Sequence, residues 1–221
     1  MQKNKIGPLL TLGAVAVLGG GIWLANVSQE PESPAPAAPV AQSTTTTAAS
    51  PTPPPPSTPP PVAFPAKASY VGKIPTAAGV ITLDVVIDGQ KAIAYACDGN
   101  AVEVWLRGSA TNGALTLASK DETSRLTGRL DGNSIAGTLT IGAKSWDFTA
   151  APVDPPAGLY VYEKDGVRSS WIVDSGGGVT GVQRRADGST GPAAGLGKDG
   201  TALVDGVTVT ATKVEGDDDV N

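Results

Sequence analysis

The chain is predicted to be all-β, an antiparallel meander closing into a barrel or sandwich, preceded by one transmembrane helix and a disordered proline-rich linker. Three observations carry this. Residues 6–27 form an uncharged apolar run, residues 28–65 hold 13 of the 19 prolines, and beyond residue 66 short alternating runs are punctuated by Asp-Gly or Asn-Gly pairs.

The apolar run IGPLLTLGAVAVLGGGIWLANV has only Thr11 and Asn26 as polar side chains. At about 1.5 Å per residue it reaches roughly 33 Å as a helix, enough for a hydrocarbon core of about 30 Å. A cleaved signal peptide carries a shorter apolar region and a small residue before the cut, whereas the exit here reads Leu24-Ala25-Asn26-Val27-Ser28. Residues 1–27 are therefore read as an uncleaved signal-anchor, with Lys3 and Lys5 holding the N-terminus in the cytoplasm and Trp23 at the interface. The remainder is expected outside the cytoplasmic membrane.

Residues 28–65, SQEPESPAPAAPVAQSTTTTAASPTPPPPSTPPPVAFP, favour extended polyproline II because proline fixes φ and lacks a donor. At about 3.1 Å per residue this linker could hold a folded domain roughly 100 Å from the membrane. Ser43, Thr44, Thr45, Thr46 and Thr47 are candidates for O-linked sugar, with a plain solvated tract as the alternative.

Residues 66–214 are expected to form the β domain, with a possible subdivision at the proline-rich break near 151–157, and residues 215–221 an acidic tail. Asp-Gly occurs at Asp88, Asp98, Asp131, Asp165, Asp187, Asp199 and Asp205, and Asn112-Gly113 adds another. Such pairs supply the positive-φ residues of tight hairpin turns. Between them Ile81, Leu83, Val85 and Ile87 share a face, as do Val102, Val104 and Leu106, and Trp146 with Phe148. No helical periodicity is long enough for a crossover.

The phrases FPAKASYVGKI, AIAYACDGNAVEVWLRGSA, and GLYVYE followed by WIVDSGGGVTGV, together with anchor and spacer, resemble the proline-rich, membrane-anchored envelope proteins of actinobacteria. The resemblance implies a place in the envelope and supplies no catalytic motif or site residue.

The chemistry is bounded by what is missing. There is no His, so the commonest general base and metal ligand is lacking, and the single Cys97 can form neither an intramolecular disulfide nor a multi-thiolate metal site. Cys97 shares a face with Ile93 and Tyr95 and is expected to be buried. A net charge of -5 with scattered Lys and Arg gives no footprint for nucleic acid. The run Val173-Asp174-Ser175-Gly176-Gly177-Gly178 is spelled like a serine-protease nucleophile loop, but without imidazole and without any Ser-Xaa-Xaa-Lys spacing it reads as a glycine-rich turn.

The leading expectation is a non-enzymatic module that needs no cofactor or metal and docks on an envelope protein or cell-wall polymer. The alternatives are a carboxylate-dependent hydrolase of envelope carbohydrate and a barrel carrying a small apolar ligand. Alternation sets Glu103, Trp105 and Arg107 on the face opposite Val102, Val104 and Leu106. This makes them candidate partner-binding residues if that face is free, and core with a charged rim if a loop or second meander covers it.

Overall fold

Eight strands between Lys67 and Val153 each pair antiparallel with their sequence neighbour: β1 (Lys67–Thr76), β2 (Gly79–Asp88), β3 (Lys91–Cys97), β4 (Glu103–Thr111), β5 (Ala114–Ala118), β6 (Ser124–Asp131), β7 (Ser134–Ile141) and β8 (Lys144–Val153). β1 also pairs with β8, Ser69 opposite Val153 and Val71 opposite Ala151, so the meander closes into a barrel. The structure is a computed structural model and describes residues 62–219. The expected anchor over residues 1–27, the linker up to residue 61 and the tract Ser43–Thr47 lie outside the described residues. Among the described residues no helix is long and apolar enough to cross a membrane.

Every Asp-Gly and Asn-Gly pair lies between strands or, at Asp88 and Asp131, begins on the last residue of one. At Asn112-Gly113, Asp165-Gly166 and Asp205-Gly206 both residues have positive φ, as type I′ hairpins demand. Ile81, Leu83, Val85 and Ile87 point inward together, joined by Leu106, Leu115, Leu117, Leu126, Ile135, Leu139 and Phe148. Each such side chain contributes roughly 1.5–3 kcal/mol on burial. Ala92, Ala94 and Ala96 of β3 also face inward and leave room for bulkier neighbours, so the interior is packed with the protein's own side chains. Closure brings strands very near one another at inward glycines. A β-carbon on Gly108 would lie 2.1 Å from the Thr116 carbonyl oxygen, and one on Gly137 2.1 Å from that of Thr127.

The chain then builds a second antiparallel sheet from β9 (Gly158–Lys164), β10 (Val167–Val173), β11 (Val179–Arg184), β12 (Thr190–Pro192) and β15 (Thr212–Lys213), in the order β12-β11-β10-β9-β15. Its inner face, with Leu159, Ile172, Val182 and Val214, packs on the outer wall of the barrel at Val71, Val86, Ile93, Tyr95 and Cys97. β2 and β3 are thus buried on both faces. On the outer face, Trp171 is covered by the hairpin of β13 (Thr201–Val204) and β14 (Val207–Thr210) through Ala202, Val204 and Val209. The Trp171 indole donates to the Ala194 carbonyl at 2.7 Å.

Both ends of the described chain meet one end of the barrel. Phe64 sits edge-on against Tyr70 and packs on the interior, and the Gly89 amide donates to the Ala66 carbonyl at 2.6 Å. Residues 215–219 lie against the same end. Lys67 pairs with both Asp88 (2.9 Å) and Glu215 (3.1 Å), and the acidic stretch continues to Arg107, which pairs with Asp219 at 2.7 Å and donates to the Asp218 carbonyl.

Candidate functional site

The structure places Glu103, Trp105 and Arg107 on the flank that the second sheet covers. Glu103 has a side-chain exposure of 0%. One carboxylate oxygen accepts from Arg184 Nε at 2.7 Å, while the other accepts from Ser170 Oγ and Trp105 Nε1, each at 3.3 Å, with Arg168 Nε 3.5 Å away. The Arg168 guanidinium lies 5.4 Å from the Trp105 ring centroid, and the Tyr95 ring packs on the same indole at a tilt of 44°, centroids 4.5 Å apart. Trp105 is half-buried, and Arg107 faces the C-terminal tail. All three side chains take their contacts from within the protein, and Glu103 and Trp105 join barrel to sheet. Their partners Arg168 and Arg184 carry no local sequence signal, because alternation within one strand does not tell what packs on it.

A second buried carboxylate lies on the same interface. Asp84, fully buried, accepts from Ser69 Oγ at 3.0 Å through Oδ1, while Oδ2 has no partner. Burial pushes its carboxyl up to about 7, against the opposing pull of the Ser69 hydroxyl and the Lys213 charge. Lys213 Nζ and Ser69 Oγ both lie within 3.7 Å of the point where a β-carbon on Gly158 would stand. Cys97 is buried on the same outer wall, its thiol directed at the Thr180 carbonyl and pushed up to about 12 by burial.

The turn Asp174–Gly178 is fully engaged by its own aspartate. Gly176 and Gly178 donate to Asp174 Oδ1 at 2.9 and 2.8 Å, and Gly177 donates to the Asp174 carbonyl. Lys73 fixes Oδ2 at 2.8 Å. These three glycine amides therefore do not converge on an oxyanion position at the exposed Ser175. Other turn carboxylates behave alike. At Asp98 burial works to raise the carboxyl, and the amides of Asn100, Val102 and Ala101 outweigh it, holding the group below the usual carboxylate range. Among the described residues, no group of three metal-ligating side chains comes together.

The surface of the described residues carries several concavities. The barrel mouth opposite Phe64, about 470 Å³, is bounded by the β1–β2 and β7–β8 turns, Asp98 and the half-buried Trp146. The outer wall of β5–β8 carries a shallow hollow of about 730 Å³ over Gly128 and Gly137, rimmed by Thr116, Thr127, Thr138, Thr149, Arg129 and Asp147. A cleft of about 710 Å³ lies beside the base of the β13–β14 hairpin, between the segments that flank it and the Ser175–Gly177 turn. The last draws on four segments far apart in sequence, so no local pattern could have announced it.

The class these features define is an all-β protein whose eight-strand antiparallel meander closes into a barrel, flanked by a second antiparallel sheet. No family model matches the chain, and no curated protein or solved structure matches it.

Proposed function

We propose that the protein is a non-enzymatic interaction module of the cell envelope, held on the cytoplasmic membrane by residues 1–27 and docking, through its β domain, on an envelope protein complex or wall polymer. The observation that carries the reading is the outer wall of β5–β8. While β1–β4 give their outer face to the second sheet, this wall stays open and presents threonine hydroxyls, Arg129 and Asp147 around its hollow. Hydroxyls and a mixed charge pair on a rigid sheet can hydrogen-bond a polar surface with little ordering cost. The packed interior and the self-satisfied turn carboxylates support binding over chemistry.

The test is site-specific photo-crosslinking in intact cells. A photoreactive residue at Thr127 or Thr138 of the full-length chain is expected to capture one discrete partner or wall fraction, and one at the exposed Thr208 of β14 to capture none. Equal yields at all three positions, or no product at Thr127 and Thr138, would sink the reading.

A further inference from the structure

The cleft beside the base of the β13–β14 hairpin is lined by a different set of groups from the β5–β8 wall. Its apolar lining comes from Tyr160, Val173 and Val179 of the second sheet with Leu196 and Ala211 from the segments that cover it, and Lys198 and Lys213 complete it. A volume of about 710 Å³ falls within the roughly 300–1,000 Å³ of sites that take small molecules, which are mostly apolar with a few polar groups setting orientation.

The charges specify the ligand. Neither lysine has a carboxylate within ion-pair distance among the described residues. The carboxylate in the lining, Asp199, accepts both the Thr201 amide (3.1 Å) and its hydroxyl (2.8 Å) through one oxygen, which ties it to its own turn. Behind Lys213 stands Asp84, close enough to act on it through space but not paired with it. Two cations beside an apolar lining, in a chain of net charge -5, leave room for an anion that forms charge-assisted hydrogen bonds with them.

The walls are preformed. Lys73 and Asp174 fix the Ser175–Gly177 turn, the Gly197 amide donates to the Thr201 carbonyl at 2.7 Å, and Gln183 holds the hairpin turn through Asp205 at 3.2 Å. A ligand entering such a cleft has little chain to order.

We infer that this cleft binds a small amphiphile bearing one anionic group, a carboxylate or a phosphate, its apolar body lying along Tyr160, Val179, Leu196 and Ala211 and its charge met by Lys198 and Lys213. The inference is independent of docking at the β5–β8 wall, and either can fail alone.

Lysine acetylation of the full-length chain in a neutral detergent, quantified residue by residue by mass spectrometry, tests it. The probes are laurate, dodecyl phosphate, dodecanol and inorganic phosphate. At an anionic probe concentration about four times its Kd, acetylation of Lys198 and Lys213 should slow about fivefold, while the exposed Lys91, Lys120 and Lys164 keep their rates. Comparing laurate with dodecyl phosphate separates the carboxylate source from the phosphate source. Leu196→Asp, which places a carboxylate in the lining, should abolish the protection while leaving the circular dichroism spectrum unchanged. Absence of protection, protection by dodecanol equal to that by laurate, protection by inorganic phosphate alone, or equal slowing at the three control lysines would overturn the inference.

Discussion

Replacing Glu103 by alanine should be among the most damaging single changes in the domain. Its carboxylate is fully buried and neutralises Arg168, whose side chain is 10% exposed, and Arg184, which is 40% exposed. It also accepts from Ser170 and Trp105. Removing one partner of a buried ion pair costs about 3–5 kcal/mol, because the remaining charge stays desolvated and unpaired. Arg184 can turn to solvent, which discounts its share, so the expected loss is about 3–4 kcal/mol for Glu103→Ala. Glu103→Gln keeps the shape and an acceptor, and should lose about half as much. Urea unfolding of the full-length chain, followed by tryptophan fluorescence, measures both. In thermal melts the alanine variant should fall by roughly 6–16 °C for a domain of this size. If Glu103→Ala lies within about 1 kcal/mol of the parent, less than loss of even a half-compensated buried charge, then the carboxylate does not join barrel and sheet as argued.

Asp84 gives the domain a pH dependence of opposite sense to the usual acid denaturation. Its folded carboxyl is raised from 3.8 to about 7, so the native state holds the proton more tightly; the stability this lends is complete below the unfolded value and lost as pH rises through about 7, roughly 4 kcal/mol in all. Unfolding midpoints should therefore fall between pH 5 and pH 8 by more in the parent than in Asp84→Asn, and equal slopes in the two would refute the assignment. Gly137→Ala, whose new β-carbon would meet Thr127 oxygen at 2.1 Å and Gly128 Cα at 2.7 Å, should lose about 3 kcal/mol or more. Gly132→Ala, in open space at φ +59°, should lose only about 1–2 kcal/mol, and equal losses would show that strand crowding is not what selects glycine at Gly137.

The turns and the barrel's inner face were legible because both are local. Asp-Gly pairs require particular backbone angles, and alternation placed Ile81, Leu83, Val85 and Ile87 together without knowledge of their partners. What alternation could not decide was barrel against sandwich, or which outer faces would be covered. A signal for the cover does exist in residues 92–97, AIAYAC, since a strand with no polar position on either side is one buried on both. Asp84 is a second such signal, a lone carboxylate between apolar neighbours that must be either exposed or held by something from outside the strand. Glu103 and Trp105 read equally well as a free charged face, because Arg168 and Arg184 reach them from a sheet built far along the chain. The cleft residues Lys198 and Lys213 were silent for the same reason.

The order in which the elements are synthesised gives the covered flank a consequence for folding. The barrel is complete once Val153 has emerged, but its wall at Val71, Val86, Ile93 and Tyr95 waits for partners that include Ile172, Val182 and finally Val214. During that interval the nascent chain carries a closed barrel with a sticky apolar side, the kind of surface on which aggregation starts. β15 is made after the other strands of its sheet and pairs at the edge beside β9. A chain clipped before Thr212 therefore leaves the barrel intact while baring that edge, and proteolysis there turns a capped strand into one open to pairing with another copy.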